Sequence, residues 1–408
     1  MADRGTACRS CGGNLETFLD LGPQPLANGL MPLSSSPADD TRFPLALACC
    51  RDCGLAQLRE TVRPDVLFRD YAYLTRYSGT LVDSFSRLAP RIREELGLDG
   101  RDLVYDIGGN DGTLLGFYRR LGVRVLDVDP SPAAEMARAE GIPVCPEFLD
   151  EAVAERLVFE YGQGAAVHIH NCLAHCPDLP GVLRALRLLI GDAGTLVIET
   201  PSALDLVRNV RVDCVYHEHV FYFSMTSLGR ALAAADLYPW RVERTPNHGR
   251  SLLVFASAQP REGTGSVQKE LRREAAAGAD RPTFYRALAA GVASARPRLR
   301  GVLEQVFVSG RVAVAYGAAA KTTCLLNVFG IDVPWIRFAV DHSPLKVGRR
   351  IPGTHIEIRP PDILAEWPPD MVLITAWNLA DEIVRNNAHL VARGVRFVTP
   401  LPKPTVVA

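Results

Sequence analysis

No excess of either charge marks this chain. Across 408 residues, 45 Lys and Arg face 46 Asp and Glu, and the formal net charge is -1. Such a surface has no general hold on a phosphate backbone or an anionic bilayer, which sets aside nucleic-acid coat and membrane-surface proteins. Long apolar runs are missing too: none approaches the roughly 20 residues that span hydrocarbon, and the opening MADRGTACRS has no apolar stretch behind a basic start. No membrane partner is expected, and a cytoplasmic location is. Charge is scarce beside apolar content, 22% against 48%, so disorder is not the main state. The length exceeds one core of ordinary size and predicts two or three domains of roughly 100 to 200 residues.

A reducing compartment does not maintain disulfides, so the ten cysteines are expected to be metal ligands or packing residues. Cys8 and Cys11 form one C-x-x-C pair and Cys50 and Cys53 another, followed by Gly12 and Gly54. A two-residue spacer lets both thiolates of a pair reach one ion, the glycine frees the backbone at the turn, and two pairs supply four soft ligands for tetrahedral zinc. Cys49 adjoins Cys50, but only Cys50 keeps the two-residue spacing to Cys53. Four protein ligands leave no position for water or substrate. This zinc is therefore expected to be structural, stapling a segment too small to bury its own core. Packing by reduced thiols is the alternative.

Residues 81 to about 100 carry apolar side chains at helical spacing and stop at Leu98-Asp99-Gly100. Next comes a short apolar strand, 103–107, then Gly108-Gly109-Asn110-Asp111-Gly112-Thr113, then a helical pattern restarting at Leu114. A second strand, 123–128, closes on Asp129, roughly twenty residues beyond Asp106, the spacing of an acid that holds a ribose diol. The loop is not G-x-G-x-x-G. An acidic, glycine-rich loop repels a pyrophosphate but suits the sulfonium and ammonium of S-adenosylmethionine (SAM), so Asp106, Gly108, Asn110, Asp111, Gly112 and Asp129 are expected to bind that cofactor. A phosphate-binding dinucleotide fold and a merely tight turn are the alternatives. Strands 166–170 and 195–199 extend an open α/β sheet, and ligands sit at such carboxyl ends, which adds Asn171 to the cofactor set.

His175 follows just past that strand end. As a plain structural reading it is a hydrogen-bonded imidazole with no further task. The densest polar cluster is Tyr216-His217-Glu218-His219, running on through Val220 and Phe221 to Tyr222. Titratable side chains among apolar neighbours are costly to bury without a role. The pattern is not H-E-x-x-H, which leaves general acid/base chemistry ahead of a second metal on His217 and His219. In an extended segment Tyr216, Glu218 and Tyr222 face one way and the two histidines the other; a loop breaks that parity. Spacing alone does not choose between the imidazoles.

Beyond about residue 260 an Arg- and Ala-rich helical stretch connects to a second strand and small-residue loop, 312–316 and Gly317-Ala318-Ala319-Ala320-Lys321-Thr322-Thr323, and a strand over 336–340 closes on Asp341. Small residues let backbone N–H groups approach a phosphate, and Lys321 adds charge. The full Walker spacing is absent. Lys346, Arg349 and Arg350, followed by Pro352-Gly353-Thr354-His355, supply further positive charge beside the same sheet end. An ordinary tight turn and a solvated surface remain the alternatives.

Together these motifs resemble the SAM-dependent C-methyltransferases that act on nucleotide-linked keto-deoxysugars in antibiotic sugar biosynthesis. The likeness runs through most of the chain: the four-cysteine module, Leu21-Gly22-Pro23-Gln24-Pro25-Leu26-Ala27-Asn28, the N-D-G loop, Asn171 to His175, Tyr216 to His219, Gly317 to Lys321, Asp341 to Gly348, Pro352-Gly353-Thr354, and Trp377-Asn378. Two departures stand out. Gly108-Gly109 replaces the more usual Ala-Ser, which bears little on SAM binding, and His248-Gly249-Arg250-Ser251 replaces H-G-G-S, which bears on the sugar pocket.

The resemblance implies an α/β protein in three parts. Residues 1–80 would be a zinc module and substrate lid, 81–257 a Rossmann-like SAM domain, and 258–408 a helical linker with a Rossmann-like nucleotide-sugar domain. It implies methylation of a dTDP-linked 4-keto-deoxysugar beside the ketone, C3 ahead of C5, with Tyr73, His175, Tyr216, Glu218 and His219 around the reacting sugar. His219 is the expected base, with Glu218 and Tyr216 orienting it or holding the enolate oxygen. Tyr71 and Tyr77 lie close enough to Tyr73 to compete for its place. Substrate contacts are expected from Asn28, Tyr222, Lys321, Thr322, Asn327, Lys346, Pro352, Gly353, Thr354, His355 and Trp377. A methyltransferase acting on RNA or protein through its zinc knuckle is the main alternative. Residues 12–48, with Glu16, Asp20, Asp39 and Asp40 against Arg42, lack the basic surface it would need, so no nucleic-acid partner is expected. A further alternative makes the C-terminal unit a vestigial dimerisation module. Oligomeric state is not read from the sequence, which is compatible with a monomer.

Overall fold

Leu103–Ile107 is buried at every position, as a parallel strand covered on both faces must be. The computed structural model, which describes residues 3–67 and 73–408, places it inside a seven-stranded sheet. The order is Tyr238–Thr245, Ser251–Ser257, Thr195–Pro201, Ala166–His170, Leu103–Ile107, Arg124–Val128 and Val144–Cys145. The strands from Thr195–Pro201 to Val144–Cys145 run parallel, and Ser251–Ser257 joins Thr195–Pro201 antiparallel. The helix Gly79–Leu96 buries Leu81, Phe85, Leu88, Ala89 and Ile92, one stripe of a 3.6-residue period, and ends at Gly97 in the left-handed region. The strand expected over 123–128 starts at Arg124, because the Val123 N–H is taken by the Tyr118 carbonyl at the end of the preceding helix.

The N-terminal strands Leu15–Pro25, Arg42–Cys50 and Ala56–Leu58 form an antiparallel sheet. Its fourth strand, Phe221–Tyr222, comes from far along the chain and pairs Phe221 with Gln57 and Tyr222 with Ala56. The polar cluster that precedes this strand is thereby carried from the large sheet to the cysteine module.

A six-stranded C-terminal sheet runs Ile358–Arg359, Ala339–Val340, Ala313–Tyr316, Met371–Ile374, Arg396–Thr399 and Thr405–Val406, antiparallel only at the last pair. The strand expected over 336–340 shrinks to Ala339–Val340, since the Trp335 and Ile336 amides bond back to the Asp332 carbonyl in a turn. Helix Pro282–Val308 buries Tyr285, Leu288, Val292, Ala295, Leu299, Leu303 and Val306. Phe18 stacks on Tyr285 at 5.2 Å, and a single apolar cluster joins this helix to the N-terminal strands and the C-terminal sheet. A buried ion pair adds a second tie: Arg350 and Asp40, each side chain 3% exposed, meet at 2.6 Å.

Candidate active site

The sulfurs of Cys8, Cys11, Cys50 and Cys53 lie within 4.8 Å of one another, with Cys8–Cys53 at 3.6 Å and Cys11–Cys50 at 3.5 Å. Four thiols converging on one point suit tetrahedral zinc, and Cys49 bonds elsewhere, to the Cys50 carbonyl. Gly54, at φ 75, needs the left-handed conformation, and a Cβ there would meet the Asp280 backbone at 2.9 Å.

At the carboxyl ends of the central strands the Gly108 to Gly112 loop turns with Gly108, Asn110 and Gly112 all at positive φ. Asp129 accepts the Asn110 N–H at 2.8 Å and the Ser131 N–H at 2.7 Å, so this acid shapes the loop as well as facing it. Asn110 and Asp111 turn their side chains to the segment that carries Tyr73: Asn110 Oδ1 accepts the Thr75 N–H, its amide donates to the Tyr73 carbonyl, and Asp111 pairs with Arg76 at 3.1 Å. Asn171 Oδ1 is buried without a partner among the described residues, an acceptor left beside the loop. The acidic rim, this orphan acceptor and the open glycine turn fit a cationic nucleoside such as SAM. Gly108 and Gly109 have local causes. A Cβ on Gly108 would lie 2.5 Å from the Cys172 sulfur, and one on Gly109 would lie 2.4 Å from Asp127 Oδ1.

Residues 216–219 form a turn, with the His219 N–H donating to the Tyr216 carbonyl, so the alternation of an extended segment does not hold there. His217 leaves the group and bonds the Phe43 carbonyl. His219 stays. Its Nδ1 is 2.9 Å from the Cys214 carbonyl and must donate, which makes Nε2 the basic nitrogen, 2.8 Å from the Tyr216 hydroxyl. The His219 ring meets His175 edge-on at 5.0 Å and Tyr222 edge-on at 6.4 Å. Glu218 is held by Asn28, whose amide donates to Oε2 at 2.7 Å. Burial pushes Glu218 up to about 8 despite that bond, and burial pushes His175 down to about 4.

The C-terminal loop repeats the construction of the first. Gly317 N–H bonds Val340, as Gly108 N–H bonds Val128, and Asp341 accepts the Ala318 N–H as Asp129 accepts that of Asn110. Lys346 neutralises Asp341 at 3.1 Å. Thr322 is buried, donating to the Gly317 carbonyl. Asn327 donates to the Pro352 carbonyl, Arg350 and the Gly353 N–H bind Asp40, and the Arg350 guanidinium also reaches the Thr354 carbonyl. These groups frame the joint with the N-terminal module. His355, exposed, pairs with Asp332 at the outside of that joint.

Trp377 brings the two large sheets together. Its Nε1 donates to Asp213 at 2.5 Å, Arg211 lies over its ring at 4.8 Å, and Lys321 at 5.0 Å. Arg211 is 7% exposed and its Nε has no partner among the described residues. Neither Arg211 nor Asp213 was expected from spacing, since only the folded chain sets them against Trp377. A cleft of about 250 Å³, lined by Thr80, Trp377, Asn378, Asp381 and Arg385 among others, opens beside this group.

Three family profiles match in succession: a zinc binding domain over residues 8–68, a methyltransferase domain over 73–242 and a C-methyltransferase C-terminal domain over 246–402. C-methyltransferase NovU of Streptomyces niveus is 33% identical over 407 residues, covering 98% of this chain and 96% of that protein. The chain belongs to the C-methyltransferase family. As a SAM-dependent C-methyltransferase it carries the Rossmann-like sheet, with the Gly108 to Gly112 loop at its carboxyl edge, and a zinc-binding domain in which four cysteines converge. Solved structures match less of it. Magnesium protoporphyrin IX methyltransferase of Synechocystis PCC 6803, with bound SAM, is 15% identical over 44% of this chain and 79% of that one, at a TM-score of 0.34. A SAM-dependent methyltransferase of Clostridium acetobutylicum is 13% identical over 48% of this chain and 96% of that one, at 0.35. No helix among the described residues of this C-methyltransferase is long and apolar enough to cross a membrane.

Proposed function

We propose that this C-methyltransferase acts on a dTDP-linked 4-keto-deoxysugar of antibiotic sugar biosynthesis, methylating a carbon beside the ketone, C3 ahead of C5. The observation that carries the reading is the Tyr216–His219 pair, a basic imidazole nitrogen bonded to a phenol inside the ring of His175, Glu218 and Tyr222. A ketone acidifies the neighbouring C–H, and a neutral imidazole matches that task near pH 7. His219 Nε2 takes the proton while the Tyr216 hydroxyl turns toward the oxygen that gains charge. Glu218, kept protonated by burial, and His175, kept neutral, are hydrogen-bond donors for that oxygen and are not competing bases. SAM, when bound, supplies the methyl group as an electrophile. Asp106, Gly108, Gly112, Asp129 and Asn171 hold it, and Asn110 and Asp111 lock the Tyr73 segment over it.

For the diphosphate we place Arg211 and Lys321, the two cations on Trp377, with Thr322 supporting the loop beneath. Asn327, Lys346, Pro352, Gly353, Thr354 and His355 then frame this part of the site through the N-terminal module. Calorimetric titration with thymidine diphosphate should give saturable binding; no binding would leave RNA or protein as the substrate class. His219→Asn should lower kcat by about 100-fold to 10,000-fold with SAM affinity unchanged. Solvent deuterium entering the sugar in the absence of SAM isolates the proton step and reports which carbon exchanges. Exchange at the wild-type rate in His219→Asn would move the base to Tyr216 or Glu218.

A further inference from the structure

Beneath the cofactor loop, Asp127 lies directly across from Asp106 in the parallel register, and Asp106 lies across from His168. Asp127 is 0% exposed and Asp106 3%. Asp127 Oδ1 accepts the Gly109 N–H at 3.2 Å, and Oδ2 has no partner among the described residues. A Cβ on Gly109 would meet both carboxyls, Asp127 Oδ1 at 2.4 Å and Asp106 Oδ2 at 3.1 Å, so the two acids crowd one point.

Among the described residues, the nearby group that can carry positive charge, His170, is already committed to the Glu199 carboxylate. His168 spends its ring nitrogens on Tyr118, at 2.9 Å, and on His170, at 3.0 Å; His170 in turn bonds Glu199 at 3.1 Å. Burial keeps His168 neutral. Asp129 on the loop adds negative charge beside the pair, and Asp111, further along the loop, already holds Arg76. Arg91 and Glu95 act from beyond Tyr118. Two neighbouring buried carboxyls with no cation of their own cannot both ionise. Burial, opposed by His170 and reinforced by Asp129, pushes Asp106 up to about 7; burial, reinforced by Asp106 and Asp129, pushes Asp127 up to about 9.

We infer that Asp127 is a positioning residue that shares one proton with Asp106, and that SAM expels this proton when it loads. The arriving cation makes two ionised carboxyls affordable; the carboxyl O–H bond breaks and the proton passes to the buffer. Affinity for SAM then rises with pH, about tenfold per unit across the window in which the free pair is still protonated and the loaded pair is not. Above that window the proton has already gone and the dependence vanishes.

The test is calorimetry of SAM on the full-length protein in buffers of different ionisation enthalpy, over pH 6 to 9, for wild type and Asp127→Asn. The amine of SAM titrates equally in both, so their difference isolates the pair. Wild type should release about one proton more per SAM than Asp127→Asn near pH 7, and bind more weakly than it at pH 6 while converging at pH 9. Equal proton counts in the two proteins would overturn the proposal. Should Asp127→Asn fail to fold, the wild-type affinity alone decides, because a profile flat from pH 6 to 8 excludes a displaced proton. The inference rests on SAM occupying this loop, and the same titration separates the failures: no SAM binding faults the cofactor site, whereas binding without extra proton release faults the role of Asp127.

Discussion

Glu218 and His175 sit in the same cluster, and burial moves them in opposite directions, the carboxyl up to about 8 and the imidazole down to about 4. Both shifts favour the neutral form. For Glu218 the sign is set by comparison with an ordinary value of about 4.3. Between that and about 8 the folded protein holds a proton that the unfolded chain releases, so the stability it contributes is full below the window and falls as pH rises through it. His175 works the other way between about 4 and 6.5, where stability rises with pH. Glu218→Gln should therefore flatten the decline of melting temperature from pH 5 to 8, and an unchanged decline would mean that the carboxyl is ionised in the folded protein. At this scale the residue types were legible: the Tyr216 to His219 cluster stood out by composition alone. Which histidine joins Tyr216 was not, because a turn at 216–219 cancels the alternation that sequence spacing assumes.

The strand Phe221–Tyr222 is two residues long, yet it couples the Tyr216–His219 turn to the zinc module through its pairing with Ala56 and Gln57. Those partners follow Cys53 by only a few residues, so the metal and the position of His219 are mechanically linked. Metal binding and local folding are one equilibrium in such modules. Chelation, or Cys11→Ser, should lower the melting temperature and abolish methyl transfer, while SAM binding at the separate Leu103–Ile107 sheet persists. Metal analysis finding no zinc in carefully purified protein, or activity surviving complete zinc removal, would contradict this. The four-cysteine pattern was readable because two short local spacings define it. The pairing of Phe221–Tyr222 was not, since it joins residues more than 160 positions apart and no local periodicity records such a partner.

Across the whole molecule, the seam at Trp377 collects Arg211 from the SAM domain and Lys321 from the C-terminal unit. A group that binds a non-reacting diphosphate stabilises ground and transition states alike. Lys321→Ala is accordingly expected to raise KM for the sugar nucleotide more than it lowers kcat. A loss confined to kcat would move Lys321 away from the diphosphate. The seam also separates what each level of description decides. Local chemistry in the sequence determined the two C-x-x-C pairs, the two strand–loop–helix units and the polar cluster at Tyr216–His219, because each depends on neighbours a few residues apart. Only tertiary packing decided that the 346–355 segment ties to Asp40, that Asn28 holds Glu218, and that Asp127 crowds Asp106 in place of a larger residue at Gly109. Those contacts join distant segments whose meeting is set by sheet register and by the apolar core along Pro282–Val308, terms that no short window of sequence contains.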